Sequence, residues 1–161
     1  SCSKTYAMTG WRIGYTAGDE KVIQAMGKLQ GQSTSCPSSI AQVGAIEALI
    51  GDQSKVAIMR TIFKKRRDYI VNRLNKMNGV HCDNPGGAFY VFPDFSTLMG
   101  SNKKIQSSND LSMYLLEQKS VVTVAGKAFG SDGNVRFSYA VSDEDLYRAM
   151  DLLEETLTEL E

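Results

Sequence analysis

The sequence predicts an α/β chain. Apolar residues recur at helical spacing in five separate stretches, short β-branched and aromatic runs lie between them, and Gly, Pro, Asn and Ser mark the junctions. At 161 residues, such a chain buries about 70% of the surface its unfolded form exposes. That is enough for one domain, or for a domain with a piece of another.

Taken in order, Ile13 to Ala17 follows Arg12 as an extended run, so residues 12–17 read as a short strand closed by Gly18-Asp19. Asp19 can cap a helix reaching about Gln30, with Val22, Ile23, Met26 and Leu29 on one face packed as core. Gly31 to Pro37 is a polar turn, since Pro37 stops a helix from running through it, and Ser38 or a neighbour can cap the next helix. Ile40, Val43, Ile46 and Leu49/Ile50 mark that helix, which ends at Gly51. The longest periodic element runs from about Gln53 to Met77, with Met59, Ile62, Phe63, Ile70, Leu74 and Met77 in one stripe. Within it lies Lys64-Lys65-Arg66-Arg67, and Asp68 stands four residues after Lys64, where the two can pair.

Val80–Asp83 fits a strand, Asn84-Pro85-Gly86-Gly87 a turn, and Ala88–Phe92 an aromatic and β-branched strand. Residues 98–108 read as a loop, Asn109 or Asp110 as the cap of a helix through Lys119, and 121–125 as a strand. Val135 and Phe137 flank Arg136 in a strand, so two core-facing side chains put the arginine on the opposite face. If that face is buried, the guanidinium needs an anionic partner. If it is an edge, the arginine is simply at the surface. Ser142 to Asp145 opens the last helix with a near capping box, and Leu146, Met150, Leu153, Leu157 and Leu160 form its inner stripe. Glu154, Glu155 and Glu159 lie on its wet face.

Composition excludes several function classes. Eighteen basic and eighteen acidic side chains cancel, which argues against a large nucleic-acid footprint. The basic tetrad at 64–67 is interrupted by Phe63 and Ile70 and reads as a solvated helix face. No apolar run is long enough to span a bilayer. Cys2, Cys36 and Cys82 are an odd, widely spaced set. They fit no zinc spacing and suggest a reduced, cytoplasmic setting without a structural metal. His81 has no cysteine or carboxylate at ligand spacing. There is no phosphate-binding Gly-x-x-x-x-Gly-Lys loop, no Gly-x-Gly-x-x-Gly fingerprint, and no Ser-His-Asp set or carboxylate pair placed for hydrolysis.

Chemistry concentrates in two stretches. Ser1-Cys2-Ser3-Lys4 sets hydroxyls around one lysine, and Gly10-Trp11-Arg12 comes after it. A lysine amine adds to a carbonyl once it has lost its proton. Its ordinary pKa is about 10.4, so burial or a neighbouring cation such as Arg12 must favour the neutral form. Arg12 also offers a planar fork for phosphate oxygens. The spacing alone equally fits a surface lysine ahead of a strand. The second stretch is Val135 to Ala140, centred on Arg136.

The pattern S-x-S-K-x-x-x-M-x-G-W-R-x-G-Y over residues 1–15 resembles the active-site segment of class I aminotransferases of the bacterial aspartate type. These are fold type I enzymes that use pyridoxal 5′-phosphate. P-x-G-A-F-Y at 85–90 and V-R-x-S-Y-A at 135–140 match further motifs of that family, in order and over essentially the whole chain. The resemblance implies that Lys4 bonds the cofactor's aldehyde and then moves the proton, that Ser1 and Arg12 hold the phosphate, and that Arg136 binds the substrate α-carboxylate. It also implies that residues 1–50 complete a large cofactor-binding domain and 51–161 form the small C-terminal α/β domain with its long connecting helix.

The chain is then expected to be the C-terminal portion of a longer protein, homodimeric when complete and inactive alone. The 31–37 segment, Ser33 and Thr34 included, is expected to reach toward the neighbouring subunit. Aspartate with a 2-oxo acid such as 2-oxoglutarate is the implied substrate pair, and prephenate, aromatic amino acids and alanine stay open. So does a non-catalytic binding or regulatory module on the same scaffold. Ala125 stands where the family usually has proline, which loosens a turn without removing a chemical group.

Overall fold

The computed structural model describes residues 2–100 and 104–160. The chain divides into two compact units, Ser1–Arg60 and Thr61–Glu161. The division falls within the long helix that starts at Ser54.

The first unit begins with α1 (Cys2–Thr5), a 3-10 turn at Thr9–Trp11, α2 (Glu20–Ser33), α3 (Ser39–Ile50) and the opening of α4 (Ser54–Leu74). Asp19 caps α2 as expected, its carboxylate accepting from the Lys21 N–H at 3.0 Å and from Val22 at 3.4 Å. Ser38 occupies the cap position of α3, but its side chain makes no capping bond. Gly51 closes α3 through its N–H to the Glu47 carbonyl at 2.8 Å.

Two expectations fail in this unit. Residues 12–17 form no strand. Arg12 takes a left-handed backbone conformation at φ 52°, which ends regular extension, and no neighbouring segment among the described residues supplies a ladder. The α2 face with Val22, Met26 and Leu29 is not core: all three are exposed, Leu29 at 74%. The large residues of α3 likewise face solvent, with Ile40 at 74% and Ile50 at 79% exposure, while Ala41 and Ala45 are buried. The packed cluster consists of Cys2, Met8, Ile13, Ala41 and Ala45, with Tyr6 and Ala48 against it. Small side chains let the α1 segment approach α3 closely. Gly44 shows how closely: a Cβ there would meet Trp11 Cζ3 at 2.8 Å.

The second unit holds a continuous core. The far end of α4 contributes Ile70 and Leu74, and the chain after it Met77 and Val80. They pack with Phe95, with Leu111 and Leu115 of α5 (Ser108–Lys119), and with Leu146, Met150, Leu153 and Leu157 of α6 (Asp143–Leu160). β1 (Tyr90–Val91), β2 (Val124–Ala125) and β3 (Val135–Ser138) form an antiparallel sheet in the order β1-β3-β2. Both outer strands are far shorter than the runs that predict them, and residues 80–83 contribute only the His81–Asp94 bridge. The expected cap of α5 also moves. Ser107 takes that position, accepting from the Asp110 N–H at 3.2 Å, while Asp110 accepts from the Ser107 hydroxyl at 2.9 Å. Ser142 and Asp145 form the predicted pair at the start of α6.

Polar groups fasten this unit at specific points. Arg66 reaches Asp143 at 2.6 Å, and Arg73 reaches Asp151 at 2.8 Å and Glu154 at 2.9 Å. Asp68 pairs with Arg67 rather than with the predicted Lys64; Arg67 also donates to the Pro85 carbonyl. Two members of the basic tetrad are thus engaged inside the fold. Ser108, fully buried, donates to Asp132 at 2.7 Å and accepts from the Lys127 N–H at 3.1 Å. Burial pushes the Cys82 thiol up to about 11, so it stays protonated and acts as a small apolar filler.

Candidate active site

Lys4 lies in the single turn of α1 and is exposed. The chain then folds back on itself. The Met8 N–H donates to the Ser3 carbonyl at 3.0 Å, Ala7 to Lys4 at 3.4 Å, and Trp11 to Met8 at 3.2 Å. Ala7 and Arg12 both have positive φ, at 54° and 52°. Non-glycine residues in that region cost about 1–3 kcal/mol each and persist only where surrounding structure enforces them. Here the enforcing structure is the apolar cluster on the small face of α3. It turns residues 2–13 into a compact backbone fold that carries both Lys4 and Arg12.

Arg12 is itself anchored. One of its terminal N–H groups donates to the Thr9 carbonyl at 3.0 Å, and its other donors meet no acceptor among the described residues. The nearby groove of about 470 Å³, lined by Tyr6, Met8, Trp11, Gly44 and Lys55 among others, includes neither Lys4 nor Arg12 in its walls. Ser1 lies outside the described residues. Ser33 and Thr34 are exposed at the end of α2.

Arg136 belongs to the second unit, in the central strand β3. Val135 and Phe137 point into the core and Arg136 to the other face, as the alternation predicts. That face is neither a buried anionic site nor a bare edge. The Arg136 guanidinium carbon lies 4.5 Å from the Tyr90 ring centroid and 4.8 Å from that of Phe129. Each such contact is worth about 0.5–1 kcal/mol where exposed and about 2 where dry. Phe92 meets Phe129 edge-on, with centroids 5.8 Å apart.

Register explains the grouping. Tyr90 pairs with Ser138, two residues from Arg136 on one pleat face, and Val124 pairs with Arg136 directly. Phe89 behaves differently from Tyr90: it stacks on Phe63 at 5.9 Å and packs against the core, as expected for both residues. Phe129 is a residue that sequence reasoning missed. The available signal was its place at the end of Gly126-Lys127-Ala128-Phe129, one strand away from Arg136.

The turn that presents Phe129 is tightly specified. A Cβ at Gly126 would collide with the Ser131 and Asn134 carbonyl oxygens. The Gly126 N–H donates to Asn134 at 2.8 Å, its carbonyl accepts from Ser131 at 3.0 Å, and Gly130 closes the turn at φ 81°. The missing proline at 125 therefore leaves a turn that is still held at several points.

Comparison with known proteins bears on both stretches. The family model described as aminotransferase class I and II matches residues 1–153. An aspartate/prephenate aminotransferase of Cereibacter sphaeroides is 50% identical over 151 residues, which cover 91% of this chain and 38% of that protein. The crystal structure of the aspartate aminotransferase of Rhizobium meliloti superposes with a TM-score of 0.91 at 42% identity, covering 99% of this chain and 41% of that one. An aromatic aminotransferase from Pyrococcus horikoshii gives a TM-score of 0.88 at 38% identity, over 98% of this chain and 42% of its own. The chain thus spans about two fifths of the length of these relatives.

Proposed function

The chain belongs to the class I and II aminotransferase family, and from that premise we propose that it supplies the C-terminal portion of an aminotransferase acting on an amino acid and a 2-oxo acid. Aspartate and 2-oxoglutarate are the leading pair, because aspartate stands in the names of both the Cereibacter and the Rhizobium relatives. Prephenate, named with the first, is the second reading.

The observation that carries the proposal is the backbone fold at residues 2–13. One folded segment holds a lysine and, eight residues on, an arginine whose remaining donors meet no acceptor among the described residues. That donor set fits a group carrying both a carbonyl and a phosphate, and pyridoxal 5′-phosphate is such a group. When bound, this cofactor supplies the electron sink for chemistry at the amino acid α-carbon. Lys4 would hold its aldehyde carbon and carry the proton to and from the α-carbon. Arg12 would place its remaining N–H donors on the phosphate while one terminal nitrogen holds the Thr9 carbonyl. Ser1 is assigned to the same phosphate by the sequence pattern. Arg136, in the other unit, would take the substrate α-carboxylate through its planar edge.

Residues 1–50 would then complete a large domain and 51–161 form the small one. The complete protein would be a homodimer approached through the exposed 31–37 segment. Three free thiols fit a reducing, cytoplasmic setting, and no helix among the described residues is long and apolar enough to cross a membrane.

The test joins these residues to the remaining length of the Rhizobium meliloti relative and assays aspartate:2-oxoglutarate transamination. Lys4→Ala is expected to abolish turnover while the protein still folds. Turnover retained without Lys4 would defeat the proposal. The 161 residues alone, mixed with pyridoxal 5′-phosphate, are expected to show no turnover.

A further inference from the structure

Arg136 is held differently from Arg66, Arg67 and Arg73. Each of those ends on a carboxylate, at 2.6, 2.6 and 2.8 Å for Asp143, Asp68 and Asp151. Arg136 ends on two aromatic rings, and no acceptor among the described residues takes a hydrogen bond from it. The distinction is chemical. A guanidinium makes its hydrogen bonds in its own plane and meets rings with its flat faces. A protein carboxylate would occupy the donors that an incoming carboxylate needs, whereas a ring occupies none of them.

Both rings are themselves fixed. Tyr90 is set by its β1 pairing with Ser138. Phe129 closes a turn pinned at Gly126 and by the Lys127 N–H on buried Ser108, and it leans on the Phe92 ring. The side chain of an unpaired arginine has rotamer freedom to lose on binding. A contact that restricts this freedom beforehand lowers that cost.

We infer that Tyr90 and Phe129 are positioning residues for Arg136: they restrain its guanidinium by the flat faces so that its N–H edge is presented to the amino acid carboxylate. This rests on the reading of Arg136 as the carboxylate-binding residue. Phe92 supports Phe129 from behind.

The experiment uses the assembled enzyme described above, with Phe129→Leu, Tyr90→Leu, Phe129→Tyr and Arg136→Gln. Leucine at 129 or 90 keeps apolar bulk and removes the ring. The expected result is a KM for aspartate raised about tenfold with kcat within about threefold, the size of effect a lost cation–ring contact supplies. Phe129→Tyr, which keeps the ring, is expected to restore the parental KM. A KM within about twofold of the parent in both leucine variants, or a fall in kcat at unchanged KM, would overturn the inference.

Arg136→Gln separates the two readings. If it raises KM steeply while the leucine variants do nothing, only the ring contact is wrong. If it leaves KM unchanged, the carboxylate assignment itself falls. A second readout needs no turnover. In the 161-residue chain, the Arg136 Nε–H proton resonance, identified by its absence in Arg136→Lys, should lie upfield from ring currents. It should move downfield in Phe129→Leu; an unmoved resonance counts against the contact.

Discussion

The two units solve the same packing problem in opposite ways. Thr61–Glu161 closes a core of large side chains, with Ile70, Leu74, Phe95, Leu115, Val135 and Leu153 all fully buried. Ser1–Arg60 buries only Cys2, Met8, Ile13, Ala41 and Ala45 among its described residues, and it leaves the large residues of α2 and α3 in solvent. One unit has the contents of a self-sufficient domain. The other has those of a layer whose outer faces call for cover, since contiguous apolar surface of this kind marks an interface. The difference locates the stability of the chain in its second unit, and it puts the candidate lysine in the first.

The largest expected effect tests that division. Phe95→Ala or Leu153→Ala should cost about 3–5 kcal/mol, because each removes a fully buried side chain and leaves a cavity. Leu29→Ala or Ile40→Ala in the first unit should change stability by less than about 0.5 kcal/mol. Urea titrations of the four variants decide it, and equal shifts in both units would erase the contrast. Next comes association. Replacing Leu29 and Ile50 with Gln should reduce self-association of the 161-residue chain, measured by sedimentation velocity over a concentration series. No change in the distribution would mean that these faces are not sticky.

A third test sharpens the description of the first unit. Gly44→Ala puts a methyl group where Trp11 now packs, at a cost of about 1–3 kcal/mol if residues 2–13 cannot yield. Trp11 is the single tryptophan, so its emission should shift to the red as the ring is displaced into solvent. An unchanged spectrum would show that Trp11 does not sit on α3.

The smallest effect belongs to the second unit. Asp132 and Asp110 are held below the usual carboxylate range, Asp132 by the Ser108 hydroxyl and N–H, and Asp110 by the Ser107 hydroxyl and the Gln106 N–H. A depressed folded-state pKa contributes stability above the unfolded value, about 3.9 for aspartate. That contribution is lost as pH falls through the lower folded values. Urea midpoints should therefore decline below about pH 4, and Asp132→Asn should flatten part of that decline. A midpoint that rises on acidification would contradict the sign.

Helices were the legible part of this fold. Asp19, Gly51 and the Ser142–Asp145 pair mark their ends where the structure has them, because capping is local chemistry. The inner stripe of α6 is also correct, since its partners lie in the same chain. The α2 and α3 stripes show the limit: periodicity reports that a face is apolar, not what covers it. In α3 the face that packs is the small one, because backbone proximity, not side-chain bulk, decides how residues 2–13 sit. Strands were overread at 12–17 and 80–83, since extended propensity forms a ladder only where a partner exists.

For the site, the alternation around Arg136 foretold its face. The two rings that meet it could not be read from spacing, because Tyr90 and Phe129 converge only through sheet order and the Gly126 turn. Lys4, Arg12 and Arg136 were legible as motifs, and their roles stand as proposals with the tests given for each.

The most direct measurement asks which lysine captures the carbonyl. The assembled enzyme is loaded with pyridoxal 5′-phosphate, reduced with borohydride, digested and mapped by mass spectrometry. Lys4 is predicted to carry the pyridoxyl mark, and Lys4→Arg to lose it. A mark on Lys21, Lys28 or Lys55 with Lys4 unmodified would contradict the assignment.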